Sequence, residues 1–143
     1  MYRKILVALD TTVSDQTLLP HIVQLAQLAK SELLLVHVAD GWVARNFDQL
    51  NLVESEEMRE DWRYLEDTAK RLRDETGLAV STRLALGSPP AQIVKVAEVE
   101  ACDLIALASH GHRLVGDIIH GSTIDSVRHH TQVPIIVVPP ATK

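Results

Sequence analysis

The chain has 143 residues, of which 46% are hydrophobic and 23% charged, and its formal net charge is −5 at pH 7. This length and apolar content fit one domain with an ample core, so we expect residues 1–143 to form a single unit. The negative charge and the lack of a long basic run argue against nucleic acid or an anionic membrane as a partner, because both bind through clustered Lys and Arg.

The first predicted elements are a strand, a helix and a second strand. Lys4 to Leu9 is a continuous apolar run of the kind found in strands buried on both faces, and it starts without the pattern of a signal peptide. After a polar loop, apolar residues recur at the helical period from Leu18 to Ala29, with Pro20 near the first turn. Leu33 to Val38 is a second buried strand. No apolar run reaches membrane-spanning length, so we expect a cytoplasmic location.

The segment from Gly41 to Glu54 carries apolar side chains but is longer than a usual connection. We interpret it as a loop packed on the surface, and the alternative is a flap or dimer contact near a ligand. Ser55 is then expected to cap a long helix that Gly77 ends. The predicted core-facing stripe of this helix consists of Met58, Trp62, Leu65, Ala69 and Leu72.

The second half of the chain continues the alternation. Val80 to Leu86 alternates apolar with polar or small residues, which predicts a strand at an edge of the sheet. Ser88 and Pro89 suit the N-cap and the first residue of another helix. Leu104 to Ala108 is a buried strand, and we expect Cys102 just before it to be a buried, inert thiol.

The last predicted strand, Val133 to Val138, completes five strands that alternate with four helices. No hairpin signal occurs, and parallel pairing requires crossover helices, so the pattern predicts an α/β fold with a single open parallel five-stranded sheet and helices on both faces. Ligands of such sheets bind at the carboxyl ends of the strands, where the winding of the sheet reverses.

The stretch after the fourth strand is the clearest candidate for a binding site. A loop with Gly111 follows the strand, and nine further residues lead to Gly121, Ser122 and Thr123 at the front of a helix. Glycines let backbone N–H groups approach a phosphate, and the first turn of a helix leaves four N–H groups without internal partners. The pattern is neither a Walker A loop nor a dinucleotide fingerprint, and glycines that only turn or pack the chain are the alternative.

This stretch resembles the signature of the universal stress protein family, which reads Gly, two residues, Gly, nine residues, Gly and Ser or Thr. Here the same positions are Ala108, Ser109, His110, Gly111, nine residues, Gly121 and Ser122. Ala108 therefore stands where the family has its first glycine. The segment from Gly87 to Pro89 also matches the family, and the similarity extends strand by strand along the chain. The resemblance implies an adenine nucleotide alpha hydrolase-like fold with strand order 3-2-1-4-5.

The resemblance also implies that the chain binds ATP, accompanied by Mg²⁺, between the first and fourth strands. The matching positions beside the base and sugar are Ala8, Asp10, Val38, Leu107 and Ala108. The matching positions in the phosphate cradle are Gly111, Gly121, Ser122 and Thr123. These residue types suit those roles, because apolar side chains sandwich a base and free N–H groups bind phosphate. AMP and cyclic AMP are alternative ligands, and a helix cap is the alternative role of Asp10.

Histidines are frequent near this loop, at positions 110, 112, 120, 129 and 130, but we predict neither a catalytic residue nor a protein-bound metal. Adjacent His129 and His130 point to different faces of a helix and suit its C-terminal dipole. The loop before Gly121 offers Arg113 as its only cation and Asp117 as its only carboxylate, which is a weak basis for fast phosphoryl transfer.

The sequence therefore predicts a nucleotide-dependent regulator or sensor of the stress response that is at most a slow ATPase. One alternative is a dimeric interaction module of the same fold that no longer binds nucleotide, and a less favoured one is a slow ATPase or nucleotidyl transferase. The resemblance further implies a homodimer joined through Val133 to Val138, since this apolar strand would be an edge in the order 3-2-1-4-5. An unidentified protein client is a further possible partner.

Overall fold

The computed structural model describes residues 1–40, 51–109 and 121–140. In chain order the elements in these ranges are β1 (Lys4–Ala8), α1 (Asp15–Ala29), β2 (Glu32–Asp40), α2 (Asn51–Thr76), β3 (Val80–Gly87), α3 (Pro89–Val99), β4 (Leu104–Ala108), α4 (Gly121–His130) and β5 (Ile135–Val138). Strand and helix alternate along the described chain, as the apolar patterns predicted.

The five described strands form one sheet in the order β3-β2-β1-β4-β5. Every neighbouring pair is parallel, and Val7 of β1 lies opposite Ala106 of β4. The predicted fold and strand order are confirmed. Because the chain winds to one side from β1 and to the other from β4, the carboxyl ends of these two strands mark the reversal point at which ligands of such sheets bind.

Alternate side chains of the strands pack into two apolar layers, one on each face of the sheet. The first layer joins Ile5 and Leu33 of the strands to α1 and α2, through buried residues such as Ile22 and Leu65. The second joins the other strand face to α3 and α4. Its buried members are Leu6, Ala8, Leu34, Val36, Val38, Ala85, Ile93, Val96, Ala97, Cys102, Ile105, Leu107 and Val127.

The start of α2 differs from the prediction. The helix begins at Asn51, so Ser55 lies inside it instead of capping it, and the connection that was expected to run from Gly41 to Glu54 is shorter. A residue that is favoured as a cap is also tolerated inside a helix, so the preference of Ser55 for the N-cap position did not fix the start of α2. Residues 41–50, and with them most of the predicted flap or dimer contact, lie outside the described residues.

The prediction that Trp62 belongs to the core stripe of α2 is wrong. Leu65, Ala69 and Leu72 are buried, but Trp62 is 46% exposed. Asp61 and Leu65, four residues apart, share the inward face of the helix, since Asp61 approaches the buried His37. Seven residues separate Trp62 from the buried Ala69, so the helical period puts both on about the same side of α2 and does not distinguish the exposed residue from the buried one.

The predicted helix boundaries at Gly77 and Ser88 are confirmed. Gly77 has φ +75° and its N–H donates to the carbonyl of Arg73 at 2.9 Å, which ends α2 with a left-handed residue. Ser88 is the N-cap of α3 and Pro89 its first residue. Cys102 is buried, as expected. None of the helices in the described ranges has the length and apolarity that crossing a membrane requires.

Candidate functional site

The carboxyl ends of β1 and β2 frame a crevice against the start of α3. Its lining residues are Ala8, Leu9, Asp10, Val36, His37, Val38, Pro89 and Ile93. Ala8, Asp10 and Val38, three positions predicted beside the base, thus lie together. The space within these walls is about 10 Å³, roughly what one water needs. The described walls alone therefore do not enclose a nucleotide, and Gly111 of the predicted cradle lies outside the described residues.

Leu107 and Ala108, which end β4, belong to opposite faces of the sheet. Leu107 is fully buried in the same apolar layer as Ala8 and Val38. Ala108 is 5% exposed and belongs to the other layer, under α1 and α2, and its backbone is not in the positive-φ region. The methyl group that distinguishes Ala108 from the family glycine is therefore core packing on the face opposite Ala8.

The predicted phosphate residues open α4. Gly121 is the first residue of the helix and Ser122 the second, and the first turn contains no acidic side chain. Thr123 is buried, with 6% of its surface exposed. Unpaired N–H groups in the first turn of a helix attract an anion, and a carboxylate there would oppose it. The front of α4 is thus electrostatically suited to phosphate, although phosphate binding by these residues stays a prediction.

Asp10 closes a turn immediately after β1. One of its carboxylate oxygens accepts from the backbone N–H of Thr12 at 3.0 Å and from the Thr12 hydroxyl at 2.6 Å. The N-cap position of α1 is Ser14, so Asp10 is not the cap of that helix. The local bonds to Thr12 fix the direction of the Asp10 side chain at the rim of the crevice.

Asp15 is a buried carboxylate that the sequence analysis did not single out. It is 1% exposed, and it accepts from the backbone N–H of Asp10 at 3.1 Å, from that of Thr11 at 3.0 Å and from the Tyr64 hydroxyl at 2.7 Å. Burial raises the pKa of Asp15 to about 6, while the bonds from Tyr64 and from the Asp10 N–H oppose that rise. Thr11 has φ +63°, which a β-branched residue rarely adopts, and the bond from its N–H helps to hold it there.

His37 supports the same stretch from β2. Its Nδ1 lies 2.9 Å from the carbonyl oxygen of Leu9, and because a carbonyl only accepts, Nδ1 carries the proton. Its Nε2 lies 3.4 Å from a carboxylate oxygen of Asp61 on α2. Burial raises the pKa of Asp61, and the neighbouring His37 opposes this rise. Side chains of α1, β2 and α2 thus hold the backbone from Leu9 to Thr11.

The histidines at the end of α4 bind their own helix. Nδ1 of His129 lies 2.8 Å from the carbonyl oxygen of Asp125, and Nδ1 of His130 lies 2.7 Å from that of Ser126. Within the described ranges, no three side chains of His, Cys, Asp or Glu are grouped as a metal site would need. The remaining loop histidines, Arg113 and Asp117 lie outside the described residues.

Sequence reasoning missed Asp15, His37, Pro89 and Ile93 as parts of this region. Asp15 was read only as part of a polar loop before a helix, and nothing in its spacing distinguishes a buried acid from an exposed one. His37 became relevant only through the register of the sheet, which puts Ala8 opposite Val36 and so brings His37 to the end of β1. A polar residue in the middle of an apolar strand was the available signal, because buried polar groups need partners.

Comparison with known proteins places this geometry in context. The chain matches the universal stress protein family over residues 1–139. Universal stress protein MJ0577 from Methanocaldococcus jannaschii is 27% identical, over 96% of this chain and 95% of that protein. The solved structure of MJ0577 superposes with a TM-score of 0.85 at 29% identity, covering 100% of this chain and 99% of the other.

Two further solved structures share the fold. A universal stress protein in complex with cAMP has a TM-score of 0.71 at 15% identity and covers 98% of both chains. The universal stress protein from Archaeoglobus fulgidus in complex with dAMP has a TM-score of 0.66 at 21% identity, covering 96% of this chain and 98% of that one. At these identities the likeness establishes the fold alone.

Proposed function

This chain belongs to the universal stress protein family, and we propose that it binds an adenine nucleotide, ATP with Mg²⁺, and acts in the cytoplasm as a nucleotide-dependent regulator or sensor of stress. The observation that carries the proposal is the crevice itself. Ala8 and Asp10 at the end of β1 and Val38 of β2 line one crevice at the carboxyl edge of the sheet, where ligands of this architecture bind. The complexes of two proteins of the same fold with cAMP and dAMP support an adenine nucleotide as the class of ligand.

Each part of the nucleotide has suitable residues. The base would lie against the apolar side of Ala8, Val38 and Leu107, with Asp10 at its polar edge. The phosphates would bind Gly111 and the front of α4, at Gly121, Ser122 and Thr123, where the helix dipole favours negative charge. Mg²⁺ would accompany the phosphates and neutralise part of their charge. The methyl group of Ala108 does not oppose this arrangement, because it packs on the other face of the sheet.

A glycine substitution at the phosphate end tests the proposal. Gly121→Val, like Gly111→Val, places a β-branched side chain where the phosphate would approach the backbone, and should weaken Mg-ATP binding more than tenfold, about 1.4 kcal/mol. Ser126→Val is the matched control, because it puts the same side chain in the same helix one turn further on, at a half-buried position. Titration calorimetry with Mg-ATP, AMP and cyclic AMP measures the affinities and identifies the preferred ligand.

Wild-type protein that gives neither heat nor a thermal shift with millimolar Mg-ATP, AMP or cyclic AMP would contradict the proposal. Mass spectrometry of small molecules released from the purified protein gives an independent check. The other candidate is an interaction module of the same fold without nucleotide. That candidate predicts a folded protein that neither carries nor binds any of the three nucleotides.

A further inference from the structure

The side-chain carboxyl group of Asp15 holds the turn from Asp10 to Thr11. Each of its two oxygens accepts a backbone N–H from this turn, Oδ1 from Asp10 and Oδ2 from Thr11. These bonds fix the backbone that carries the Asp10 side chain, which lines the crevice. They also stabilise the left-handed conformation of Thr11, which is unfavourable for residues other than glycine.

Tyr64 links this turn to α2. Its hydroxyl donates to Oδ2 of Asp15 at 2.7 Å. Burial and the adjacent Asp15 carboxylate raise the pKa of the Tyr64 phenol, so that it remains a protonated donor near neutral pH. Three residues earlier on α2, Asp61 faces His37, which in turn donates to Leu9. One side of α2 therefore contacts the end of β1 through two separate side-chain bridges.

We propose that Asp15 and Tyr64 are positioning residues of the nucleotide site, which hold the Asp10–Thr11 turn in its ligand-binding conformation and connect that turn to α2. This inference rests on the nucleotide function proposed above. Its physical basis is a carboxylate that accepts three hydrogen bonds in a nearly water-free position, since hydrogen bonds to a buried charge are stronger than neutral ones. Nucleotide that orders the turn would thereby also act on α2.

Protonation of Asp15 provides a specific signature of this role. A protonated carboxyl gains an O–H donor and loses its negative charge, so the three hydrogen bonds that it accepts become weaker. Two groups act directly on the charge of Asp15: Asp10 in the turn and Tyr64 on α2. Arg71 of α2 acts on Tyr64 in turn. The His37–Asp61 pair lies on the far side of Leu9. Because the pKa of Asp15 is raised to about 6, nucleotide affinity should fall as the pH drops below about 6.

The experiment first measures the turn without nucleotide. Backbone amide resonances of Asp10 and Thr11 are followed by NMR as the pH changes. In the wild type they should show a transition near pH 6, which Asp15→Asn abolishes. Tyr64→Phe should move the transition to higher pH, because the hydroxyl that stabilises the charged form is gone. Asp74→Asn is the matched control on α2, an exposed carboxylate paired with Lys70 that should leave the transition unchanged.

Mg-ATP is then titrated into the same four proteins at pH 5 and pH 7.5. Wild type and Asp74→Asn should bind Mg-ATP about tenfold more weakly at pH 5 than at pH 7.5. Asp15→Asn should bind it, at both pH values, about tenfold more weakly than the wild type does at pH 7.5. Wild-type affinity in Asp15→Asn and Tyr64→Phe, with the same pH profile, would overturn the positioning role and leave the nucleotide function standing. Wild type that binds no nucleotide at either pH would overturn both. Thermal melts establish that each variant is folded, and Tyr64→Phe carries the test if Asp15→Asn is not.

Discussion

Asp15 illustrates how a single buried residue links ionisation to folding. Its pKa is 3.8 in an ordinary setting and about 6 in the folded protein, chiefly because burial disfavours the charged form. A carboxyl whose pKa is raised by folding binds its proton more tightly in the folded state than in the unfolded state. Its contribution to stability is therefore complete below about pH 4 and is lost as the pH rises through 6.

This linkage predicts a specific difference between wild type and Asp15→Asn. Between pH 4 and pH 7 the free energy of unfolding of the wild type should fall by roughly 2 kcal/mol relative to the variant, because most of the effect of a shift of about two pKa units, each worth about 1.4 kcal/mol, lies in this range. Carboxyl groups away from this turn titrate in both proteins and cancel, whereas Asp10 acts on the charge of Asp15 and its response is part of the measured difference. Urea unfolding at several pH values measures the difference, with Asp74→Asn expected to follow the wild type. A difference that stays constant with pH would contradict the assignment of the shift to Asp15.

At single positions, the periodicity of the sequence predicted which face of a strand a residue lies on, but it did not predict contacts between residues that are distant in sequence. The alternation of a strand already puts Leu107 and Ala108 on opposite faces, but only the packing shows that the Ala108 methyl lies in the layer under α1 and α2. Trp62 looked like a core residue because it fits the apolar spacing of α2, yet it is exposed. Asp61 is half-buried and faces His37, and polar contacts of this kind do not appear in the apolar pattern on which the prediction relied.

The helix ends show the same limit at the scale of elements. Gly77 was recognised as a terminator because glycine adopts positive φ at little cost. Lys30 and Ala101 end α1 and α3 with φ of 58° each, and the sequence gives no sign of this because neither residue favours that conformation. At the end of α3 the N–H of Cys102 donates to the carbonyl of Ala97 at 2.9 Å, which closes the helix around Ala101.

Glycine at position 101 should therefore stabilise the protein. Ala101→Gly removes the contact between Cβ and the carbonyl in the left-handed conformation, and should raise the free energy of unfolding by about 1 kcal/mol. The matched control is Ala91→Gly, at an exposed position in the first turn of α3, where the same change should lower it by up to about 1 kcal/mol. Urea unfolding of both variants measures the two effects. Equal signs at the two positions would show that the left-handed residue is not strained.

For the whole molecule, the parallel α/β architecture could be predicted because strands that are short apolar runs alternate with helices, whereas the strand order 3-2-1-4-5 was implied by the resemblance to the family. Parallel pairing and right-handed crossovers leave few ways to arrange such units, and they bring the ends of β1, β2 and β4 to one edge. The resemblance to the family assigned Ala8, Asp10 and Val38 to one site, and the sheet brings all three to one crevice. The contribution of α2 could not be predicted, because it depends on how a helix more than fifty residues away packs against the β1 end.

The two edges of the sheet differ in how they are protected. At the β3 edge, Arg83 is ion-paired with Glu100, and charged side chains discourage strand pairing. The β5 edge carries Ile135, Ile136 and Val137 without charge, and Val137 is 42% exposed. We therefore propose that a second copy of the chain pairs with this edge, within the segment from Val133 to Val138.

A charge at Val137 tests this homodimer more cleanly than one at Ile136, because Ile136 also packs against the core layer under α1 and α2. Val137→Lys should convert a dimer to a monomer, since pairing would bury the ammonium group against the apolar edge of the partner. Val99→Lys is the matched control, because Val99 is 65% exposed at the end of α3 and outside β5. Sedimentation velocity at tens of micromolar should show wild type and Val99→Lys as dimers and Val137→Lys as a monomer. A monomeric wild type would refute the edge pairing, and a dimer that survives Val137→Lys would place the interface on another surface.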